Sequence, residues 1–194
     1  LPYHLGGEIA ERKKLLVATP ELFRDRFQIE VRTGCEATAI DRHAHTVSGV
    51  DHQSGHPFSL PYDRLILATG SQPLHLDFLP ERAANVFHLW TLADMDAAMA
   101  RIAGSQPRHA VVLGAGFIGL EVVEQLHRLG LAVSLVEAAP HVLGQLDAEM
   151  ARPIERELQR NEVRMFIGAH VARTITEEDR VVALELDDGQ RLEC

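Results

Sequence analysis

The chain has 194 residues, of which 46% are hydrophobic and 24% charged, a composition typical of a folded globular protein with a sizeable core. Its formal net charge of −9 at pH 7 disfavours binding to nucleic acid or to an anionic membrane surface. No apolar run reaches the roughly 18 residues of a membrane span. The two cysteines, Cys35 and Cys194, suggest neither a disulfide framework nor a metal site, which favours a cytoplasmic setting.

The first 70 residues predict one short helix among strands. Thr19 stands at the N-cap position, Pro20 at the first helical position and Glu21 next, and we expect this helix to end near Phe27. The predicted strands are, in chain order, residues 29–32, 35–40, 46–50, 57–60 and 65–68. The second and third of these should form a hairpin through residues 41–45. The last is apolar on both faces and predicts a buried parallel strand.

Residues 71–108 are predicted to form a connecting segment, which three prolines interrupt. Within it, residues 91–102 predict a helix, because Leu92, Met95, Met99 and Ile102 recur at helical spacing. Methionines at this spacing are more often core residues than cofactor contacts, so we expect the helix to pack on a sheet.

The most informative motif is Gly114-x-Gly116-x-x-Gly119, which follows an apolar strand at residues 111–113. In a dinucleotide fingerprint the first glycine allows the tight turn, the second lets a pyrophosphate approach the backbone and the third lets the helix pack on the strand. Glu137 ends the next apolar run and could bind a ribose. The order of strand, glycines, helix, strand and acid predicts dinucleotide binding rather than a glycine-rich turn of another kind.

The remaining elements extend this unit. The helix after the glycines should span residues 117–129, with an apolar stripe at Ile118, Val122, Leu126 and Leu129. A further helix should run from an N-cap at Asp147 to Arg160, with a kink or a delayed start at Pro153. The strands predicted in this part are residues 111–113, 131–136, 163–166, 171–176, 181–186 and 191–194. The last three should form a meander, with a hairpin turn at residues 187–189.

Taken together, these motifs resemble the flavoprotein pyridine nucleotide-disulfide oxidoreductases, most closely the coenzyme A-disulfide reductase and NADH oxidase subgroup. The resemblance covers nearly the whole chain. It rests on eight segments in the family's order: 1–7 (LPYHLGG), 16–27, 62–70 (YDRLILATG) with Pro73, 86–89, 94–97, 111–121, 131–137 and 146–150 (LDAEM). The implied fold class is α/β: a Rossmann-like nicotinamide-binding domain with a parallel sheet and a β-meander, plus a partial FAD-binding domain.

The resemblance also implies domain limits. Residues 1–70 would be the partial FAD domain, 71–108 a linker with a helix, and 109–194 the NAD(P)-binding domain, incomplete at its C-terminus. The family's first glycine fingerprint is absent, and its redox cysteine would lie upstream of Leu1, so no catalytic residue is expected in this chain. The chain lacks an initiator Met and ends where a strand could continue. We therefore expect a segment of a longer, homodimeric enzyme that passes hydride from NAD(P)H to FAD.

The expected cofactor-binding residues are Gly114, Ala115, Gly116, Phe117, Ile118, Gly119, Glu121, Glu137, Ala68, Thr69 and Gly70. Phe117 matches a family position often occupied by an aromatic over the nicotinamide site, and Glu121 matches a glutamate near the nicotinamide carboxamide. An exposed acid in the first turns of a helix would explain Glu121 equally well. Glu137 can bind a free ribose 2′-hydroxyl and would repel a 2′-phosphate, so NADH should be preferred over NADPH.

Three further groups of residues are candidate sites. Cys35 has no partner cysteine and is expected to be structural. His43, His45, His52 and His56 are favoured as a solvated hairpin rather than a metal site. The basic residues Arg12, Lys13, Lys14, Arg24 and Arg26 could bind an anion such as a coenzyme A phosphate or form a solvated face. Phe27 departs from the basic residue that coenzyme A-disulfide reductases can carry there.

Two classes of function stay open at this point. One is a small-molecule oxidoreductase, with coenzyme A disulfide or oxygen as electron acceptor, or a parent of the ferredoxin- or nitrite-reductase type. The other is a nucleotide-binding module without turnover. A flavin band in the visible spectrum separates the two classes, and we expect the chain itself to be colourless.

Overall fold

The computed structural model describes residues 1–80 and 82–194, which form two compact units. Residues 1–12 and 72–194 make up the larger unit, and residues 13–71 the smaller one. The break after residue 71 lies next to the expected boundary at residue 70. Residues 1–12, expected with the flavin segment, instead group with the dinucleotide segment. The assignment of either segment to a cofactor stays a prediction.

The smaller unit contains one helix and one antiparallel sheet. Helix α2 (Pro20–Phe27) begins where predicted, with the Thr19 Oγ1 accepting a hydrogen bond from the Leu22 N–H at 3.3 Å. Strands β1 (Cys35–Asp41), β2 (Thr46–Asp51) and β3 (Pro57–Pro61) pair in sequence order. The predicted helix and hairpin are therefore confirmed.

Two strand predictions in this unit are wrong. Residues 29–32 and 65–68 adopt no regular structure, and Ile66 and Leu67 are 88% and 67% exposed. A strand that is apolar on both faces forms only where neighbouring strands bond its edges and other layers cover it. The described residues of this unit place no strand beside residues 65–68.

The larger unit is built on a parallel three-stranded sheet in the order β4 (His109–Leu113), β5 (Ala132–Glu137), β6 (Arg164–Ile167). An antiparallel meander of β7 (Val171–Glu177), β8 (Arg180–Leu186) and β9 (Arg191–Glu193) follows. Its helices are α1 (Pro2–Leu5), α3 (Leu92–Ser105), α4 (Phe117–Arg128) and α5 (Ala148–Arg160), and a 3₁₀ turn (Arg12–Leu15) crosses the unit boundary. The α/β class with a parallel sheet and a meander is confirmed.

Side chains that alternate along the strands of the parallel sheet pack into two separate hydrophobic cores. Val112 of β4 and Leu135 of β5 face a cluster that includes residues of α3, α4 and α5. Val111 and Val136 face the opposite cluster, which the meander closes with β8 and β9 residues such as Leu184 and Leu192. The sheet is thus a middle layer between helices and meander, as its continuous apolar strands require.

Helix α3 confirms the core assignment of its methionines. Met95 is fully buried and Met99 packs against the helix-side core. Its start is fixed by a reciprocal capping box, in which the Thr91 Oγ1 accepts from the Asp94 N–H and the Asp94 carboxylate accepts from the Thr91 N–H.

No helix of the described residues is long and apolar enough to cross a membrane.

The other two long helices differ from prediction in detail. In α4 the buried residues are Val123, Gln125 and Leu126, whereas Ile118 and Leu129 of the predicted stripe are 52% and 41% exposed. Ile118 lies in the first turn of α4, directly after the glycine loop. In α5 the start is not delayed: the helix begins at Ala148 and continues through Pro153, which removes one N–H donor.

Candidate dinucleotide site

The turn between β4 and α4 depends on a glycine at position 114. Gly114 has a φ of +96°, a conformation that side chains with a Cβ rarely adopt. Its N–H donates to the carbonyl of Val136 at 2.8 Å, so the residue continues the β4–β5 ladder before the chain turns. The first glycine therefore makes the tight turn that the motif predicts.

The other two glycines have opposite surroundings. A Cβ placed on Gly119 would overlap the carbonyl oxygen of Gly114, so the helix can pack this closely on the strand only without a side chain there. A Cβ on Gly116 would meet no heavy atom within 4 Å. The backbone of Gly116 therefore borders open space, which is what a ligand approaching the main chain requires.

The N-terminus of α4 faces the same space. Its first backbone hydrogen bond runs from the Leu120 N–H to the Gly116 carbonyl at 3.0 Å. The N–H groups of Phe117, Ile118 and Gly119 precede it and have no acceptor within the helix. These donors and the positive end of the helix dipole suit a phosphate group. Phe117 and Ile118 are 60% and 52% exposed and flank this end.

The half-buried carboxylate of Glu137 connects the glycine loop to the loop after β5. Its Oε2 accepts a hydrogen bond from the Ala115 N–H at 2.6 Å, and its Oε1 accepts one from the Ala139 N–H at 2.7 Å. Each carboxylate oxygen can accept a second bond, so both remain able to bind a ligand hydroxyl. The acid therefore lies beside the glycine motif, in an orientation fixed by two backbone donors.

Residues 140–146 support the glycine loop from the other side, a contact that sequence reasoning did not find. The Leu143 N–H donates to the Ala115 carbonyl at 2.8 Å, and the Val142 N–H donates to the Glu155 Oε1 at 3.2 Å. Val142 and Leu143 are buried, although Leu143 has a φ of +49°. A leucine in that conformation carries no sequence signature, so only tertiary structure identifies it.

A shallow pocket of about 280 Å³ lies on the exposed face of the first turns of α4. Its walls are Leu1, Pro2, Leu89, Trp90, Ile118 and Glu121. Glu121 is the charged residue among them, and its Oε1 accepts a hydrogen bond from the Tyr3 hydroxyl at 3.2 Å. The negative charge of Glu121 raises the pKa of Tyr3 above its ordinary value. The pocket thus combines apolar walls with one oriented carboxylate.

The structure brings together eight of the eleven expected site residues, at residues 114–121 and Glu137. Ala68, Thr69 and Gly70 are exposed and belong to the smaller unit, where they adopt no regular structure. A larger cleft of about 430 Å³ is lined by linker residues such as His75 and Arg82, none of them in the glycine motif.

The three other candidate groups make ordinary structural contacts. Asp41 accepts from the His43 and Ala44 N–H groups as a turn residue does, and no set of three potential ligands close enough for a metal ion occurs among residues 1–80 and 82–194. Arg12 makes a two-pronged ion pair with Asp96, with a shortest separation of 2.8 Å. Cys35 is a half-buried free thiol.

Comparison with known proteins places these features in one family. The family model described as pyridine nucleotide-disulphide oxidoreductase matches residues 2–194. A coenzyme A disulfide reductase of Staphylococcus aureus (strain bovine RF122 / ET3-1) is 37% identical over 163 residues, which are 84% of this chain and 36% of that protein. The chain thus spans about a third of the length of this relative.

Solved structures agree with this match. The reduced CoADR-RHD of Bacillus anthracis superposes with a TM-score of 0.90 at 34% identity, over 99% of this chain and 34% of that one. A ferredoxin reductase for the CYP199A2 system from Rhodopseudomonas palustris superposes with a TM-score of 0.87 at 28% identity, over 100% of this chain and 46% of that one. The chain therefore belongs to the pyridine nucleotide-disulphide oxidoreductase family.

Proposed function

We propose that residues 114–119 and Glu137 bind the ADP-ribose part of NADH, as the electron-donor site of an FAD-dependent oxidoreductase. The observation that carries this proposal is the carboxylate of Glu137, held by Ala115 and Ala139 next to the open backbone of Gly116. A ribose diol needs an oriented acceptor, and a pyrophosphate needs backbone donors. This edge of the sheet supplies both, the donors from the loop after β4 and the acceptor from the end of β5.

The nicotinamide end of the cofactor would occupy the pocket beside α4. Its walls are mostly apolar, which suits a planar ring, and Glu121 can accept a hydrogen bond from the carboxamide NH₂. Phe117 is exposed at the same helix end, where it could cover the ring. When bound, the nicotinamide supplies the hydride, and these residues bind it, orient it and keep water from one face.

Glu137 also supports a preference for NADH over NADPH. Because two backbone N–H groups hold its carboxylate, it cannot turn away from a 2′-phosphate without losing those bonds. The next residues, Ala138-Ala139-Pro140, offer no cation to neutralise that phosphate. A hydrogen bond to a charged group is worth about 1.5–3 kcal/mol, which corresponds to roughly a tenfold or larger preference.

The electron acceptor is proposed from the relatives alone. The names of the relatives favour coenzyme A disulfide as acceptor for the whole protein. Oxygen and a redox protein, the latter suggested by the ferredoxin reductase, are alternatives. In this scheme Ala68, Thr69 and Gly70 would contact FAD, the redox cysteine would lie outside the chain, and the whole enzyme would be a cytoplasmic homodimer.

A nucleotide-binding module without turnover is the competing function, and the exposure of residues 65–70 favours it for the chain on its own. The visible spectrum of the purified protein separates the two. We expect no flavin band near 450 nm (an approximate marker of oxidised flavin) together with measurable NADH binding. A band that NADH bleaches in the absence of oxygen would reject the module, and failure to bind NADH would reject the proposed donor site.

A further inference from the structure

We propose that Tyr3 is a positioning residue, whose hydroxyl holds Glu121 so that the pocket selects a carboxamide-bearing ring. The inference rests on the proposed NADH function and adds a residue and a selectivity to it. Nothing in the glycine motif requires a tyrosine near the N-terminus of the chain. The contact arises because α1 lies against α4.

Three contacts fix α1 and the residues after it. Leu5 is buried in the helix-side core. Gly6 lies so close to α4 that a Cβ there would overlap the side-chain oxygen of Gln125. Glu8 pairs with Arg128 at the end of α4, with 2.6 Å between Oε2 and Nη1. Tyr3 is therefore carried on a backbone that cannot move freely relative to α4.

The hydrogen bond divides the two oxygens of Glu121 between two tasks. The Tyr3 hydroxyl donates to Oε1 at 3.2 Å. Oε2 accepts no hydrogen bond from the described residues and is left for a ligand donor. Because the carboxylate raises the pKa of Tyr3, the phenol stays protonated and keeps donating throughout the physiological range.

The pocket chemistry determines which ring is accepted. An amide NH₂ can donate to the carboxylate of Glu121, and the apolar walls provided by Trp90 and Ile118 accept a flat ring. A ring bearing a carboxylate in place of the amide would meet Glu121 as a like charge and would lack the donor. The pocket should therefore discriminate nicotinamide from nicotinic acid dinucleotides.

The test compares three ligands, NADH, ADP-ribose and the reduced nicotinic acid adenine dinucleotide, on three forms of the purified protein by titration calorimetry. NADH contains the nicotinamide, whereas ADP-ribose occupies only the glycine loop and Glu137. We expect Tyr3→Phe to weaken NADH binding by about three- to tenfold and to leave ADP-ribose binding unchanged. Tyr62→Phe, at a tyrosine that stacks on His45 in the smaller unit, is the control and should change neither.

Each outcome has a distinct meaning. Unchanged NADH affinity in Tyr3→Phe would overturn the positioning role, and so would an equal loss of affinity for NADH and ADP-ribose, which would indicate a general structural effect. If neither NADH nor ADP-ribose binds to the unmodified protein, the proposed donor site is rejected, and the positioning role of Tyr3 with it. If the reduced nicotinic acid dinucleotide binds as tightly as NADH, or more tightly, the selectivity is contradicted.

Discussion

Glu137 and Ala115 are joined by a hydrogen bond of 2.6 Å between the carboxylate Oε2 and the backbone N–H. This bond links the residue type expected to recognise ribose to the loop expected to hold the pyrophosphate. With the Leu143 N–H on the carbonyl of the same residue, it holds both backbone polar groups of Ala115 in place. Recognition of the ligand and shape of the loop therefore depend on one side chain.

Replacing Glu137 should destabilise the protein as well as weaken ligand binding. Glu137→Ala leaves the N–H groups of Ala115 and Ala139 without their acceptor, and Ala115 is fully buried. An unsatisfied buried donor costs about 1–3 kcal/mol, so the free energy of unfolding in urea should fall by about that amount. Glu149→Ala, at an exposed acid of α5, is the control and should change it by less than about 0.5 kcal/mol. Equal effects of the two variants would contradict the structural role.

Gly116 and Gly119, the second and third glycines of the motif, should differ in how their replacement affects stability and binding. Gly116→Val places a side chain in open space on an extended backbone with φ −74°, so the melting temperature should change little while NADH affinity falls at least about tenfold. Unchanged affinity for NADH in this variant would show that no ligand approaches the backbone at Gly116.

Gly119→Ala should instead destabilise the protein. Its Cβ would overlap the Gly114 carbonyl and push α4 away from β4. Overpacking of this kind costs about 1–3 kcal/mol, so denaturant unfolding should show clear destabilisation. A variant as stable as the unmodified protein would mean that α4 can shift without cost.

Sequence patterns identified those parts of the site that follow from local rules. The glycines have roles set by backbone sterics, and Glu137 stands at the end of an apolar strand, so spacing sufficed to place them. Tyr3 and Leu143 could not be found in this way, because each meets the site through tertiary contacts over more than 20 residues of sequence. No local pattern marks a leucine with positive φ as a support for a loop.

The errors in the fold have a related cause. Residues 65–68 have the composition of a buried strand, yet strand formation depends on neighbours, and the described residues provide none beside them. Ile118 fits a helical stripe by spacing, but it lies in the first turn of α4 and is 52% exposed. Periodicity predicts which residues could be buried, whereas the surrounding layers decide which of them are.

Asn85 should be essential for attaching the linker to the meander. Its side chain donates to the Val181 carbonyl at 2.7 Å and accepts from the Val181 N–H at 2.9 Å. These two hydrogen bonds replace those that the backbone of a neighbouring strand would make. Val181 is 3% exposed, so Asn85→Ala would leave two buried backbone groups unpaired, at about 1–3 kcal/mol each. Asn85→Asp keeps the acceptor but loses the donor and should be destabilising too. Chemical denaturation of both variants is the measurement, and a loss below about 0.5 kcal/mol in both would contradict this role.

The capping box of α3 should make stability dependent on pH in the acid range. Hydrogen bonds, first from the Thr91 N–H, lower the pKa of Asp94 below its ordinary value of 3.8. A carboxyl whose pKa is lowered by folding stabilises the protein above its unfolded pKa and loses that contribution as the pH falls through the folded pKa. The difference in unfolding free energy between the unmodified protein and Asp94→Asn should be constant from about pH 7 to 5 and shrink below about pH 4. A difference that does not vary with pH would contradict the assignment.

The most direct test of the account is the affinity of the purified protein for NADH and for NADPH, measured side by side by titration calorimetry. If Glu137 binds the ribose as proposed, NADH should bind at least about tenfold more tightly than NADPH. Glu137→Ala should narrow that gap by weakening NADH binding. Equal affinities in the unmodified protein, or a gap that Glu137→Ala leaves intact, would contradict the central claim that this carboxylate and the glycine loop form one dinucleotide site.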